Sequence, residues 1–437
     1  MIRRILALAA VVLLFASCAS EERKHILKVY NWADYIDEDL IEEFEDWYEE
    51  QTGESVEIIY QTFDINETML SKIELGHEDY DVVCPSEYII ERMLKNDLLL
   101  PIERNFGKTP DYTGNIAPFI KEMFSHIDGH GKDANDYAVA YMWGTVGLIY
   151  NPKYVSSEEA KSWNVLLNPD YKGKILMKDA FRDVYTSLLV ALNKEAIDNG
   201  SKNIRSISFD CSEESIALVE NYLNSFKESV SGWEADFGKE QMTKELAWMN
   251  LSWSGDAQWA IDEAAEIGLE LEYTIPSEGS SVWFDGWVIP KYAKNTKAAS
   301  YFINFMCMPE NALRNMDMTG YVSAVGGKDI LESMSDPEEY EAVDASYFFG
   351  EEADSVHVNH IMYPNRASIE RCAMMHDTDA EALLKMWSRV KGDSASAWTY
   401  ILICLVFAGL IGAVIYKYTK KRYRIRRKRH VQRKRRK

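Results

Sequence analysis

The chain has 437 residues, with 48 Lys+Arg against 70 Asp+Glu, a formal net charge of -22, 47% hydrophobic and 12% aromatic residues. A chain of this length and apolar content can bury the cores of two globular units, and with only 11 Pro it is neither disordered nor collagen-like. All of the acid lies within residues 19–416, while residues 417–437 hold 14 Lys/Arg; so acidic a body repels phosphate and attracts cations, which argues against a nucleic-acid partner.

The first segment has the layout of a secretion signal. Arg3 and Arg4 form a charged start, and Ile5–Ala16 is an apolar stretch too short to span a bilayer. It ends in Leu14-Phe15-Ala16-Ser17-Cys18, which resembles a lipoprotein cleavage box with Cys18 as the lipidated residue. Strand and helix patterns then alternate. Ile26–Tyr30 reads as a strand, Asp37–Gln51 as a helix with Leu40, Ile41, Phe44, Trp47 and Tyr48 at helical spacing, and Val56–Tyr60 as a strand. Glu67–Leu75 reads as a helix and Tyr80–Cys84 as a strand closed by Pro85. This is the α/β signature of a parallel sheet with crossover helices.

The alternation resumes further on. Ala138–Tyr141 and Val146–Tyr150 are predicted as two strands separated by Gly144, with Ile175–Met177 a third. Val184–Leu192 and Ser215–Phe226 are predicted helices, and Leu246–Trp253 leads into Gly255. Tyr273–Pro276 and Val282–Pro290 are predicted strands, and Ala298–Met308 a helix. After a 391–397 linker, Trp398–Tyr416 is an uncharged 19-residue run, which predicts a transmembrane helix. Aromatics flank it and the basic tail follows, so the tail is expected in the cytoplasm and the acidic body outside, at the extracytoplasmic face of the cytoplasmic membrane. Six Cys show no metal-ligand spacing, and four scattered ones predict no disulfide pairing.

In open α/β sheets ligands sit beyond the carboxyl ends of strands. The residues that follow the predicted strands are Asn31-Trp32-Ala33-Asp34-Tyr35, Pro85-Ser86-Glu87-Tyr88, Lys178-Asp179-Ala180-Phe181-Arg182-Asp183, Trp253-Ser254-Gly255-Asp256 and Trp283-Phe284-Asp285. Carboxylates and aromatics recur together. Carboxylates accept charge-assisted hydrogen bonds from ammonium groups, and indole faces attract cations while covering methylenes. The expected guest is therefore a cationic, partly apolar molecule. Plainer readings exist for single residues: Asp34 as an acid at a helix N-terminus, Ser86 as a helix cap, and Arg182–Asp183 as a surface pair.

The motifs YNWADYI (30–36), VVCPSEYII (82–90), YMWGTVGLIYNP (141–152), DAFRDVY (179–185), WSGDA (253–257), WFDGWVIP (283–290) and TGYVSA (319–324) occur in this order. Together they resemble the bacterial spermidine/putrescine-binding proteins of polyamine ABC transporters, over roughly residues 26–390. The resemblance implies a type II periplasmic-binding-protein fold of two α/β lobes joined by hinge crossovers, residues 26–138 with 284–328 and residues 139–283 with 329–390. It implies no cofactor, with a polyamine ligand and an ABC permease as partners; the His and Cys spacing offers no metal site and no nucleophile elbow is present, so neither metal nor catalysis is expected. Carried over to this chain, it places Trp32, Asp34, Tyr35, Ser86, Tyr88, Asp183, Trp253, Trp283, Asp285 and Tyr321 at the ligand, with Asp285 as the central carboxylate. Ala33 and Ala180 depart from the family pattern and leave putrescine and spermidine equally open. Two other classes compete: a membrane-tethered receptor signalling through its span, and a carbohydrate hydrolase using paired carboxylates.

Overall fold

The computed structural model describes residues 23–235 and 237–392. Strand β1 (Ile26–Trp32) buries Leu27, Val29, Tyr30 and Asn31. Helix α1 (Asp39–Thr52) follows, with Leu40, Phe44 and Tyr48 buried at a four-residue spacing, which makes one apolar face. It stops at Gly53, whose φ of 73° and N–H donated to the Glu49 carbonyl form a left-handed cap that a residue with a Cβ would adopt under strain. Strand β2 (Glu57–Phe63) pairs in parallel with β1, Val29 opposite Tyr60. Helix α2 (Asn66–Glu74) crosses back, β3 (Val82–Val83) pairs in parallel on the other side of β1, and α3 (Glu87–Lys95) leaves it. This opening alternation agrees with the sequence pattern.

The middle of the chain differs from it in one instructive place. Residues Ala138–Tyr150 form a single buried strand, β4, rather than two. Gly144 does not interrupt the strand. A Cβ there would lie 2.6 Å from the Trp283 indole, so the glycine exists to let that ring lie against the backbone. Strands β5 (Ile175–Lys178), β6 (Val230–Glu234) and β7 (Met249–Trp253) follow, with α4 (Phe181–Leu192) after β5 and α5 (Ser254–Glu266) directly after β7. Then comes β8 (Ser280–Pro290), buried along its whole length.

The main path of the sheet runs β2-β1-β3-β8-β4-β7-β5-β6. The long strands β4 and β8 pair antiparallel at its centre, and the register shifts between Asp285 and Gly286. They join the parallel strands β1, β2 and β3 to the parallel strands β5, β6 and β7. Helices α6 (Thr296–Met306) and α7 (Pro309–Thr319) return towards α1, with the rings of Phe302 and Phe305 edge-on to Phe44. The short strand Val322–Ser323 then pairs with β4. Cys84, Cys307 and Cys372 are buried and Cys211 half-buried, all as free thiols.

The α/β architecture stands, but the expected C-terminal transmembrane helix is corrected. Among the described residues no helix is long and apolar enough to cross a membrane. The last described helix, Ala380–Gly392, has 13 residues and carries Glu381, Arg389 and Lys391, against the roughly 20 apolar residues that a span requires. The 398–416 run, the basic tail and the signal segment with Cys18 lie outside the described residues. The described residues up to Leu383 form one compact unit, and those from Leu384 fall in a second.

Candidate functional site

Asp285 sits at the register shift of β8, and its backbone forms an isolated bridge with Ser86. It is 6% exposed. The Tyr35 hydroxyl donates to Oδ2 at 2.9 Å and the Ser86 hydroxyl to Oδ1 at 2.7 Å. Burial drives its pKa up to about 7, the two hydroxyls pull it down, and the negative charge of Asp183 adds to the rise. Ser86 is the N-cap residue of α3 but makes no side-chain cap bond. Its hydroxyl is turned to Asp285 instead, so the capping reading gives way to one in which Ser86 serves the carboxylate.

Asp183, in the first turn of α4, is 8% exposed. Burial lifts its pKa to about 6, against the hydrogen bond it accepts from Trp253 Nε1 at 3.2 Å. It does not form the surface pair with Arg182 that adjacency suggested. Arg182 is buried, its guanidinium lies 4.2 Å from the centre of the Tyr88 ring, and its N–H groups find no acceptor among the described residues. Among the described residues neither Asp183 nor Asp285 has an ion-pair partner, although both are almost fully enclosed. A bare carboxylate in such a place is unfavourable, and a bound cation would relieve it.

Aromatic rings surround these acids. Tyr321 stands edge-on to Tyr35 and to Trp283, each at 5.5 Å between centres. The buried Trp283 Nε1–H has no acceptor among the described residues. Trp32 is half-buried on Phe63, 4.5 Å between ring centres. Tyr88 is buried, and its hydroxyl accepts from Asn66 Nδ2 at 3.0 Å; the same amide donates to Ser86. Asp34 is the exception. It is exposed on the turn after β1, with a φ of 52°, a left-handed conformation that Asp tolerates. The structure thus brings Tyr35, Ser86, Asp183, Trp253, Trp283, Asp285 and Tyr321 into one cluster and leaves Asp34 outside its hydrogen bonds.

Glu87, Asp256 and Lys178 stand among the strand-end residues named above with no role assigned, and Glu234 lies outside them. Glu87 is fully buried and accepts the Phe284 N–H at 3.0 Å, and burial pushes its pKa well above the usual carboxylate value. Asp256, Glu234 and Lys178 form a buried ionic group behind Trp253. At the predicted strand ends, a pattern of acid–aromatic pairs does not single out a basic residue such as Lys178. A separate cavity of about 300 Å³, lined by Arg104, Thr113, Ile120, Phe124 and Ala140 among others, shares no residue with the cluster.

A long antiparallel pair bridging two parallel sheet segments, with enclosed acids and indoles at the strand ends between them, defines a solute-binding protein of the periplasmic-binding class. The family model of bacterial extracellular solute-binding proteins matches residues 40–339, and the chain belongs to that family. It is 27% identical over 320 residues to the spermidine/putrescine-binding periplasmic protein of Escherichia coli K12, covering 73% of this chain and 83% of the relative. It is 27% identical over 310 residues to the putrescine-binding periplasmic protein PotF of the same organism, covering 68% of this chain and 77% of the relative. Among solved structures it resembles a putative spermidine/putrescine ABC transporter protein from Listeria monocytogenes, with a TM-score of 0.63 and 28% identity over 84% of this chain and 99% of the other. It also resembles the substrate-binding protein PotD from Streptococcus pneumoniae, with a TM-score of 0.61 and 28% identity over 84% of this chain and 97% of the other.

Proposed function

We propose that this chain is the extracytoplasmic polyamine-binding component of an ABC uptake transporter, capturing a protonated alkylamine and delivering it to the permease. The observation that carries the reading is Asp285: a carboxylate 6% exposed, oriented by two hydroxyls, beside Trp283 and without a cation of its own among the described residues. An ammonium group there replaces lost hydration with a charge-assisted hydrogen bond, and the indole covers the adjoining methylenes. Asp183 receives the second amine, Trp253 lines the alkyl chain, and Trp32, Tyr88 and Tyr321 complete the walls. Asp34 meets the guest from the open side. Two lobes, 26–138 with 284–328 and 139–283 with 329–390, close on the ligand through β4 and β8. Lipid on Cys18 would hold the protein at the outer face of the cytoplasmic membrane. The relatives are named as binding proteins, and the reading contains no catalytic step.

The test is calorimetric titration of the purified full chain with putrescine, spermidine and spermine. We expect saturable binding of at least one amine, and Asp285→Ala should weaken it by about 1.5–3 kcal/mol or more, the scale of a charged hydrogen bond lost from an enclosed site. Binding of a neutral sugar or an anion in place of every amine would overturn the reading.

A further inference from the structure

The wall of the site beyond Trp253 already contains an ammonium group. Lys178, the last residue of β5, is fully buried. Its Nζ lies 2.5 Å from Asp256 Oδ2 and 3.1 Å from Glu234 Oε1, and donates to the Ala235 carbonyl at 2.9 Å. It stands 4.4 Å from the centre of the Trp253 ring. These are the partners a protonated alkylamine needs: carboxylates, a carbonyl and an indole face. Asp256 is tied in turn to the rest of the site, because it accepts the Tyr321 hydroxyl at 2.8 Å and Tyr321 packs on Trp283 and Tyr35. The other acid of the group is also satisfied, since Glu234 accepts from Asn250 Nδ2 at 2.9 Å and from the Gly238 N–H at 3.1 Å.

Charge balance then separates the acids of the site into two sets. Asp256 and Glu234 are neutralised by the chain's own lysine, with Lys239 adding a second cation 3.6 Å from Asp256. Asp183 and Asp285 have no ion-pair partner among the described residues, the buried charges of Arg182 and Lys178 acting on Asp183 only from a distance. Asp34 is exposed, where a pairing with an amine contributes little.

We propose that Lys178 determines specificity: its side chain fills the place of a third amine, so the site takes a short aliphatic diamine in preference to a triamine. The inference rests on the polyamine reading above and narrows it. A triamine would bring its third charge against a position already occupied by a buried cation, which penalises it without any new contact to the diamine.

The experiment compares putrescine and spermidine by calorimetry on the full chain. For the unaltered protein we expect the diamine to bind about tenfold or more tightly than the triamine, the equivalent of one charged hydrogen bond. In the variant Lys178→Met/Glu234→Gln the buried cation is removed and Asp256 keeps only Lys239, 3.6 Å away, so the place of the third amine is vacated and the ratio should move towards the triamine by about tenfold. Equal or tighter binding of spermidine by the unaltered protein overturns the inference even if no variant folds. An unchanged ratio in a folded variant does the same, with the polyamine reading intact. Failure of the unaltered protein to bind any amine removes both.

Discussion

In the function proposed above, Asp285 serves binding at the expense of folding. Its pKa of about 7 and that of Asp183, about 6, lie above the ordinary carboxylate range because burial disfavours the charge. For an acid raised in the folded state, the sign follows directly: the native protein holds the proton more tightly than the unfolded chain, so stability falls as pH rises from about 4 to 7. An arriving ammonium favours the ionised form, so binding releases protons, and affinity should decline as pH falls through 7 and then 6. Titrations near pH 6.5 in two buffers of different ionisation enthalpy should reveal that release, and Asp285→Asn should reduce it. The same variant keeps an acceptor for Tyr35 or Ser86 but carries no charge. The ligand-free protein should therefore melt at a temperature higher by roughly 3 °C or more at pH 8 while losing amine affinity, a stability–function exchange typical of binding sites.

At the scale of elements, the start of α5 shows what positions the aromatic wall. Gly255 lies in its first turn, and a Cβ there would fall 2.3 Å from the Tyr321 ring. Gly255→Ala should displace that ring, break its hydrogen bond to Asp256, and weaken amine binding by about tenfold, one hydrogen bond's worth and the packing around it; titration of the variant measures this directly. The same glycine explains why α5 was not legible in the sequence, where Gly255 after a strand reads as a loop residue. Gly144 misled for the same reason and divided β4 in two. Both glycines are there for rings that approach from elsewhere in the chain, which a local pattern does not contain. By contrast β1, α1 and β2 were legible, because Leu40, Phe44 and Tyr48 state their period within the segment itself. The acid–aromatic chemistry of the strand ends was legible too. The pairing of Tyr35 with Asp285 was not, since 250 positions separate them and only the register of β8 brings them together.

For the molecule as a whole, the acid excess of the body extends the attraction of the two enclosed carboxylates into solution. Cationic ligands should be steered to the site, so stopped-flow association rates should fall severalfold as salt rises from about 0.05 to 0.5 M, where the screening length shrinks towards a few ångströms. Dissociation, governed by enclosed contacts, should change far less. The buried thiol of Cys84 carries a further consequence. It directly follows β3 and precedes Pro85-Ser86, and burial, with the nearby Asp285 charge, pushes its pKa well above the usual thiol range. An alkylating reagent therefore reaches Cys84 only when the chain opens around it. Its rate of modification becomes an internal clock of that opening, and an amine seated at the neighbouring carboxylate would slow the clock without touching sulfur.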